Sequence, residues 1–201
     1  MTTYTYPSTS QFRPQGFDIG LRSSVIVSTS SLNGSTQTVE ISGPRWVCSL
    51  HYGSQSLGDR AAVEGFWSAV RGQVNRVSLW HLSRPAPRGT MRGSPVLTSA
   101  VAVGDTSIAI TTTAYATLLS GDMIGVGAQI LQVTADATAT AGGALTVSVS
   151  PPARSIVSGA SSVVWDKPSA VFLMSQRELI MPYDGAALAA PFSVDLMEIW
   201  T

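Results

Sequence analysis

The sequence is poor in charge. Charged side chains make up only 12% of its 201 residues, and the formal net charge is zero, whereas a typical soluble domain carries about 25% charged residues. A monomer of this size depends on a charged coat for solubility. The low charge therefore predicts that other subunits cover much of this surface. The alternative is a surface that is rich in Ser, Thr and Gly and is polar without charge.

Cysteine and lysine are almost missing. Lys167 is the only lysine, so the chain has no global basic field of the kind that non-specific nucleic-acid binding requires. The single cysteine, Cys48, excludes an internal disulfide, and its neighbours Trp46 and Leu50 predict a buried, unreactive thiol.

Long apolar runs and targeting signals are also lacking. The first sixteen residues are polar and do not read as a basic-then-apolar signal, and the longest apolar runs are too short to span a membrane. We therefore expect no membrane insertion and a chain that stays in the cytoplasm until it assembles. The Asn33-Gly34 pair reads as a hairpin turn.

Most of the remaining sequence predicts β-strands. The stretch from Thr36 to Gly43 alternates Val39 and Ile41 with polar residues, which predicts a β-strand. The stretch Arg45–Tyr52 places Trp46, Cys48, Leu50 and Tyr52 on one face. The stretch Val74–Leu82 has apolar residues on both faces, which suits a strand buried on two sides or lying at a subunit contact.

One segment has helical periodicity. Apolar residues recur at intervals of three and four between Asp59 and Gly72, which predicts an amphipathic helix. Asp59 is the expected N-cap and Gly72 the expected stop. We expect this to be the only substantial helix.

The amino-acid composition then changes along the chain, which predicts an inserted domain. Residues 83–95 are rich in Pro, Gly and Arg and predict a loop. Residues 96–166 contain short strands separated by Gly-rich turns, typical of a small barrel or sandwich. After Pro168 longer, bulkier strands return. We therefore predict a host domain at 1–95 and 167–201 with an inserted small β-domain at 96–166.

Catalytic and metal-binding patterns are weak in this sequence. His51 and His81 both lie in strand patterns, which indicates structural histidines rather than a base for a nucleophile. Three aspartates at strand ends suit turns better than a calcium site, and three dispersed glutamates do not favour a glycosidase pair. These acidic residues are Asp105, Asp122, Asp136, Glu64, Glu178 and Glu198. No cofactor or metal is expected.

Five residues are candidates for a subunit interface. Arg84, Arg88 and Arg92 form the one local concentration of charge, and they would pair with a neighbouring subunit, line a pore that DNA passes through, or simply be solvated in a linker. Trp165 and Trp200 lie at the end of the predicted insertion and near the C-terminus, where aromatic side chains often anchor an interface.

The order of these segments resembles a known family. The helix followed by RGQVNRVSLW, the stretch LLSGDMIGVGAQILQVTADATATAGGALTVSVSPPAR (118–154) and the closing PFSVDLMEIW are similar to tail-tip proteins of long-tailed bacteriophages, above all the distal tail type. The resemblance covers about residues 60–201.

The resemblance implies a function as well as a fold. The fold would be mainly β, with a tube-like β-sandwich host domain, one packed helix and an inserted β-barrel or β-sandwich. The chain would be a structural virion protein that forms a hexameric ring at the distal end of the tail, bound to the tail tube and to hub or tip proteins, with DNA passing through its lumen. The family has no catalytic residues to carry over, so we expect no enzyme. One alternative is a tail module that binds a receptor or carbohydrate, although the insertion lacks the exposed aromatics of a sugar-binding platform. A second alternative is a wall-degrading enzyme.

Overall fold

The chain is mainly β, with a single α-helix among the residues that the structure describes. The computed structural model describes residues 1–184 and 188–200, so 185–187 and 201 of the predicted second host segment lie outside the described residues. The strands are β1 (Thr3–Thr5), β2 (Gly16–Thr29), β3 (Thr36–Tyr52), β4 (Gln55–Ser56), β5 (Arg76–Trp80), β6 (Val96–Leu97), β7 (Ser107–Thr111), β8 (Thr117–Leu118), β9 (Met123–Val126), β10 (Gln129–Val133), β11 (Ala137–Thr138), β12 (Ala144–Ser150), β13 (Val163–Val164), β14 (Ser169–Met174), β15 (Tyr183–Asp184), β16 (Leu188–Ala189) and β17 (Phe192–Glu198), and the helix is α1 (Leu57–Val70).

Strands from the two ends of the chain form a six-stranded sheet, here called the first sheet. Its order is β1-β5-β14-β17-β3-β2, and only the β1–β5 pairing is parallel. Alternate residues of β3 from Trp46 to Tyr52 are buried, as predicted. Together with α1 they enclose a core rich in aromatic residues.

Residues 96–164 form a second six-stranded sheet that curls into a nearly closed barrel. Its order is β13-β9-β10-β12-β7-β6, and an isolated bridge between Val96 and Ser162 connects the two edge strands. Ile and Val side chains that alternate along β7 and β12 fill the interior. Two small sheets, β11-β8 and β15-β16-β4, complete the pairing.

The helix begins earlier than the sequence suggested. Its N-cap is Ser56, not Asp59: the Ser56 Oγ accepts a hydrogen bond from the Asp59 amide at 3.2 Å, and the Ser56 hydroxyl donates to Asp59 Oδ2 at 2.8 Å. The predicted cap therefore occupies the N3 position of a reciprocal capping arrangement, where an acidic residue also favours the helix N-terminus. Arg71 caps the C-terminus in a left-handed conformation, one residue before the expected stop at Gly72.

One strand prediction needs correction. The stretch AVFLMSQRELIMP (170–182), which the sequence predicts as one long strand, is a strand only as far as Met174. The Ser175 amide still donates to the Asp195 carbonyl of β17, at 2.8 Å, and no strand is assigned from 175 to 182. The stretch Thr36–Gly43 is a strand, as predicted, and Val39 and Ile41 lie in solvent on a long hairpin. The Asn33-Gly34 turn of that hairpin forms as expected, with a positive φ at Gly34.

Candidate assembly interface

Residues 83–95, here called the arginine-rich loop, bind the barrel of their own chain. Arg84 Nη1 donates to the Gly121 carbonyl at 2.6 Å, and Arg88 Nη2 donates to the neighbouring Ser120 carbonyl. Both acceptors lie in the turn between β8 and β9. A turn leaves carbonyl groups outside the strand ladder, and a guanidinium group satisfies such acceptors well.

Asp122 holds this loop in place through hydrogen bonds to backbone amides. It is buried, and its carboxylate accepts hydrogen bonds from the backbone amides of Arg88 at 2.9 Å, Gly89 at 3.1 Å and Leu119 at 2.8 Å. A buried carboxylate is stable only when such donors surround it. The sequence identified Asp122 as a turn residue, and the structure shows that it joins the β8–β9 turn to the arginine-rich loop.

Arg92 and Trp165 form a second contact of this loop. The Arg92 guanidinium donates to the carbonyls of Met91 at 2.6 Å and Pro87 at 3.0 Å, and it lies 5.0 Å from the centre of the Trp165 ring. The Trp165 indole N–H donates to the Gly93 carbonyl at 2.9 Å. The half-buried indole therefore holds the loop where the chain leaves the barrel.

His81 is buried beside the same loop. Its ring packs edge-on against Phe17, and Nε2 lies 3.2 Å from Arg84 Nε and 3.1 Å from Arg84 Nη2. Burial, together with the positive charge of Arg84, lowers the pKa of His81 to about 4. The imidazole is therefore neutral near pH 7. The backbone amide of Arg84 lies 3.0 Å from Nδ1, so Arg84 offers a donor to either ring nitrogen. The other histidine, His51, is exposed on β3 with Nε2 2.9 Å from Asp18 Oδ2.

Trp200 lies in a different place, at the junction between the first sheet and the barrel. The guanidinium of Arg45 lies 4.1 Å from the centre of its ring, and that of Arg154 lies 5.3 Å away. Arg154 also pairs with the fully buried Glu198, whose second oxygen accepts from the Trp46 amide at 3.0 Å. Burial raises the pKa of the Glu198 carboxyl, and these two partners act in the opposite direction.

The five predicted interface residues therefore form two groups. One group contains Arg84, Arg88, Arg92 and Trp165, and the other contains Trp200. Their described partners are groups of the same chain, so their interface role stays a prediction. Sequence alone could not show that Arg84 and Arg88 find carbonyl acceptors, because the turn that supplies these acceptors lies more than thirty residues away.

The surface that the sequence reasoning missed is the end of the long β2–β3 hairpin. Residues 23–41, here called the arm, are all exposed apart from the half-buried Ser30. Ile26 and Val27 on β2 and Val39 on β3 are 57%, 61% and 60% exposed. The sequence did carry a signal, because no charged residue occurs between Ser23 and Val39.

A cleft opens beside the first sheet. It encloses about 420 Å³ and is lined by Phe12, Phe17, Trp80, Leu82 and Lys167, among others. The Lys167 ammonium lies 5.3 Å from the centre of the Trp80 ring. Aromatic walls beside two cations, Lys167 and Arg13, suit a small ligand with apolar and anionic or hydroxyl parts.

The described part of the chain contains no group of three His, Cys, Asp or Glu residues that could hold a metal ion. Within residues 1–184 and 188–200, no helix combines the length and apolar character needed to cross a membrane. The Cys48 thiol is buried, and its burial raises its pKa, as expected of an unreactive thiol.

Neither a family model nor a curated protein matches this chain.

Proposed function

We propose that this protein is a structural virion component that forms a closed ring, most simply a hexamer, at the distal end of a long bacteriophage tail. It joins the tail tube to the tip or receptor-binding apparatus. The resemblance of residues 60–201 to distal tail proteins supports this function, and so does the observation that carries it: a mainly β chain whose arm leaves six large apolar side chains in solvent and carries a single charge, Glu40.

The proposal includes a domain arrangement. The first sheet with α1 is the ring-forming host domain, a tube-like β-sandwich in the assembled particle, and the barrel is the domain inserted into it. Three observations support this division into domains. The sheets share no strand, the barrel encloses its own core, and the two crossings are adjacent, since the Val163 amide donates to the Pro95 carbonyl at 2.9 Å.

The small number of ionisable side chains in residues 118–154 fits this proposal. The stretch spans β8 to β12 and supplies barrel interior and turns. Of its ionisable groups, Asp122 and Asp136 accept hydrogen bonds from backbone amides and Arg154 pairs with Glu198. Each of these three side chains therefore binds another part of the same chain, as expected of a structural protein.

Particle images of the purified full-length protein test the ring. The proposal expects closed rings with a central opening in negative-stain electron micrographs. Isolated particles of single-subunit size at micromolar concentration would contradict it.

The arginine-rich loop supplies a second test. Changing Arg84, Arg88 and Arg92 together to Ser should lower ring yield and make the yield less dependent on salt, because ion pairs between subunits weaken as salt rises. Ring yield is measured against salt concentration for both proteins, with circular dichroism as the check on folding. Equal yields at every salt concentration would remove these arginines from the interface and leave contact with DNA as their proposed role.

A ligand-binding tail module is the second candidate, favoured by the cleft beside Trp80. A glycan array probed with the full chain and with Trp80→Leu tests it. Binding by the wild-type protein that this substitution abolishes would support a carbohydrate-binding function. An array without signal would speak against it.

A further inference from the structure

The cleft beside the first sheet, here called the Trp80 cleft, carries positive charge and no negative charge. Its lining includes Lys167 and Arg13, and the described residues that line it include no Asp or Glu. Asp18 and Asp166, each next in sequence to a lining residue, are not among the lining residues. Within residues 1–184 and 188–200, neither cation of the cleft belongs to an ion pair. A concave site with uncompensated positive charge attracts an anion.

The only lysine of the chain is held at this cleft by an unusual backbone conformation. Lys167 has a φ of 48°, in the left-handed region that side chains other than those of Gly and Asn rarely adopt. Its amide donates to the Pro85 carbonyl at 2.6 Å, which fixes the turn where the chain returns from the barrel. The Lys167 ammonium, 5.3 Å from the centre of the Trp80 ring, therefore lies next to the aromatic wall of the cleft.

The aromatic wall is held in place by its own contacts. The aromatic residues that line the cleft are Tyr6, Phe12, Phe17 and Trp80. Tyr6 is buried, and its hydroxyl donates to the Phe12 carbonyl at 2.5 Å and lies 2.6 Å from the Tyr52 hydroxyl. The Tyr6 and Trp80 rings pack edge to face with their centres 6.3 Å apart. The wall is therefore preformed, and a ligand can contact it without first ordering these side chains.

The rim of the cleft is polar without charge. Four exposed residues with hydroxyl or amide side chains contribute to the lining: Ser8, Thr9, Gln15 and Ser83. Pro7 and Pro14 bound the segment that carries the first two of them and restrict its backbone. Hydroxyl and amide groups both donate and accept hydrogen bonds, so this rim suits a ligand that carries several hydroxyl groups.

We propose that the Trp80 cleft binds a sugar acid, that is, a mono- or disaccharide unit that carries a carboxylate. Such a ligand has one group for each part of the cleft. Its carboxylate pairs with the Lys167 ammonium, the apolar C–H face of its ring packs on the aromatic wall, and its hydroxyls bond to the rim. The cleft volume of about 420 Å³ lies in the range of about 300–1,000 Å³ that small-ligand sites occupy.

Two simpler classes of ligand leave part of the cleft unmatched. A neutral sugar leaves Lys167 and Arg13 without an anion, and an acid without hydroxyl groups leaves the polar rim without partners. The inference rests on the second candidate function, a ligand-binding module, and names the class of its ligand. It does not depend on the ring, because residues of one chain build the whole cleft.

Nuclear magnetic resonance with a matched panel of ligands tests the class. The panel contains the methyl glycosides of glucuronic, galacturonic and N-acetylneuraminic acid, the methyl ester of each, and benzoate. Saturation transfer from the full-length protein shows which ligands bind, and titration gives their dissociation constants. We expect at least one sugar acid to bind about tenfold or more tightly than its own methyl ester, because the ester lacks the charge that pairs with Lys167.

Substitutions locate the site in the cleft. Lys167→Gln should weaken binding of that sugar acid about tenfold or more, whereas Lys167→Arg keeps the charge and should retain most of the affinity. Trp80→Leu removes part of the aromatic wall and should abolish saturation transfer to the sugar ring protons. Arg22→Gln removes an exposed cation that does not line the cleft and should bind like wild type. Circular dichroism and light scattering confirm that each variant keeps the fold and the assembly state of the wild type.

The outcomes separate the ligand class from the function on which it rests. Equal affinities for the sugar acids and their methyl esters would overturn the anionic class and leave a carbohydrate-binding module standing. Benzoate that binds as tightly as the sugar acids would overturn the sugar. Equal losses of affinity in Lys167→Gln and Arg22→Gln would overturn the cleft as the site. A panel without any binding at millimolar concentration would overturn both the inference and the second candidate function, and would leave the proposed ring unaffected.

Discussion

The indole Nε1 of Trp46 donates a hydrogen bond to the carbonyl oxygen of Ile130, 3.0 Å away. Trp46 belongs to β3 of the first sheet and Ile130 to β10 of the barrel, and both residues are buried in one core together with Met123. The barrel is thus attached to the first sheet by a shared apolar surface as well as by the chain crossings.

Trp46→Phe should destabilise the protein. The substitution keeps most of the ring volume but leaves the buried Ile130 carbonyl without its donor, a loss of about 1–3 kcal/mol in the free energy of unfolding. Urea unfolding followed by circular dichroism measures it. Trp165→Phe is the matched control, since its acceptor Gly93 is exposed and water replaces the donor, and its cost should be below about 1 kcal/mol. Equal costs for both substitutions would contradict the role assigned to the junction.

Asp122→Ala should loosen the arginine-rich loop. It removes the acceptor of three backbone amides in a buried site, and we expect a loss of about 3 kcal/mol or more. Asp136→Ala removes an exposed carboxylate that accepts from the Ser120 amide and should cost less than about 1 kcal/mol. Thermal unfolding compares the two variants, and hydrogen exchange at the Arg88 and Gly89 amides should rise in the first alone. Protected amides in Asp122→Ala would show that the loop does not depend on this carboxylate.

His81 predicts a pH dependence of stability. Its pKa is about 4 in the folded protein and about 6.5 in an unfolded chain. The unfolded state therefore binds the proton more tightly, so this contribution is complete above about pH 6.5 and is lost as pH falls towards 4, to a limit of about 3 kcal/mol.

Urea unfolding at pH 7.5 and pH 5 measures this contribution. His81→Gln should reduce the difference between the two free energies of unfolding, whereas His51→Gln, at an exposed position, should preserve it. An unchanged difference in His81→Gln would show that the titrating group lies elsewhere.

Local features of the fold could be predicted from sequence. The alternation of Trp46, Cys48, Leu50 and Tyr52 gave the buried face of β3, and the three-four spacing gave α1, because both periods are properties of single elements. The Ser56 cap was missed because Asp59 is also a favoured capping residue, and only the backbone geometry distinguishes the two positions.

Partner choice over long sequence distances could not be predicted. The contacts of Arg84 with Gly121 and of Trp46 with Ile130 depend on how the barrel lies against the first sheet. The arm shows a related limit. Alternation at Val39 and Ile41 correctly predicted a strand, but it could not show that both side chains lie in solvent.

The molar mass of the purified full-length protein tests the central claim most directly. Light scattering over a wide range of concentrations should show one assembled species whose mass is a fixed whole multiple of 21.0 kDa, six for a hexamer, because a closed ring stops growing once it is complete. A species of 21.0 kDa at every concentration, or a mass that keeps rising with concentration, would contradict the closed ring.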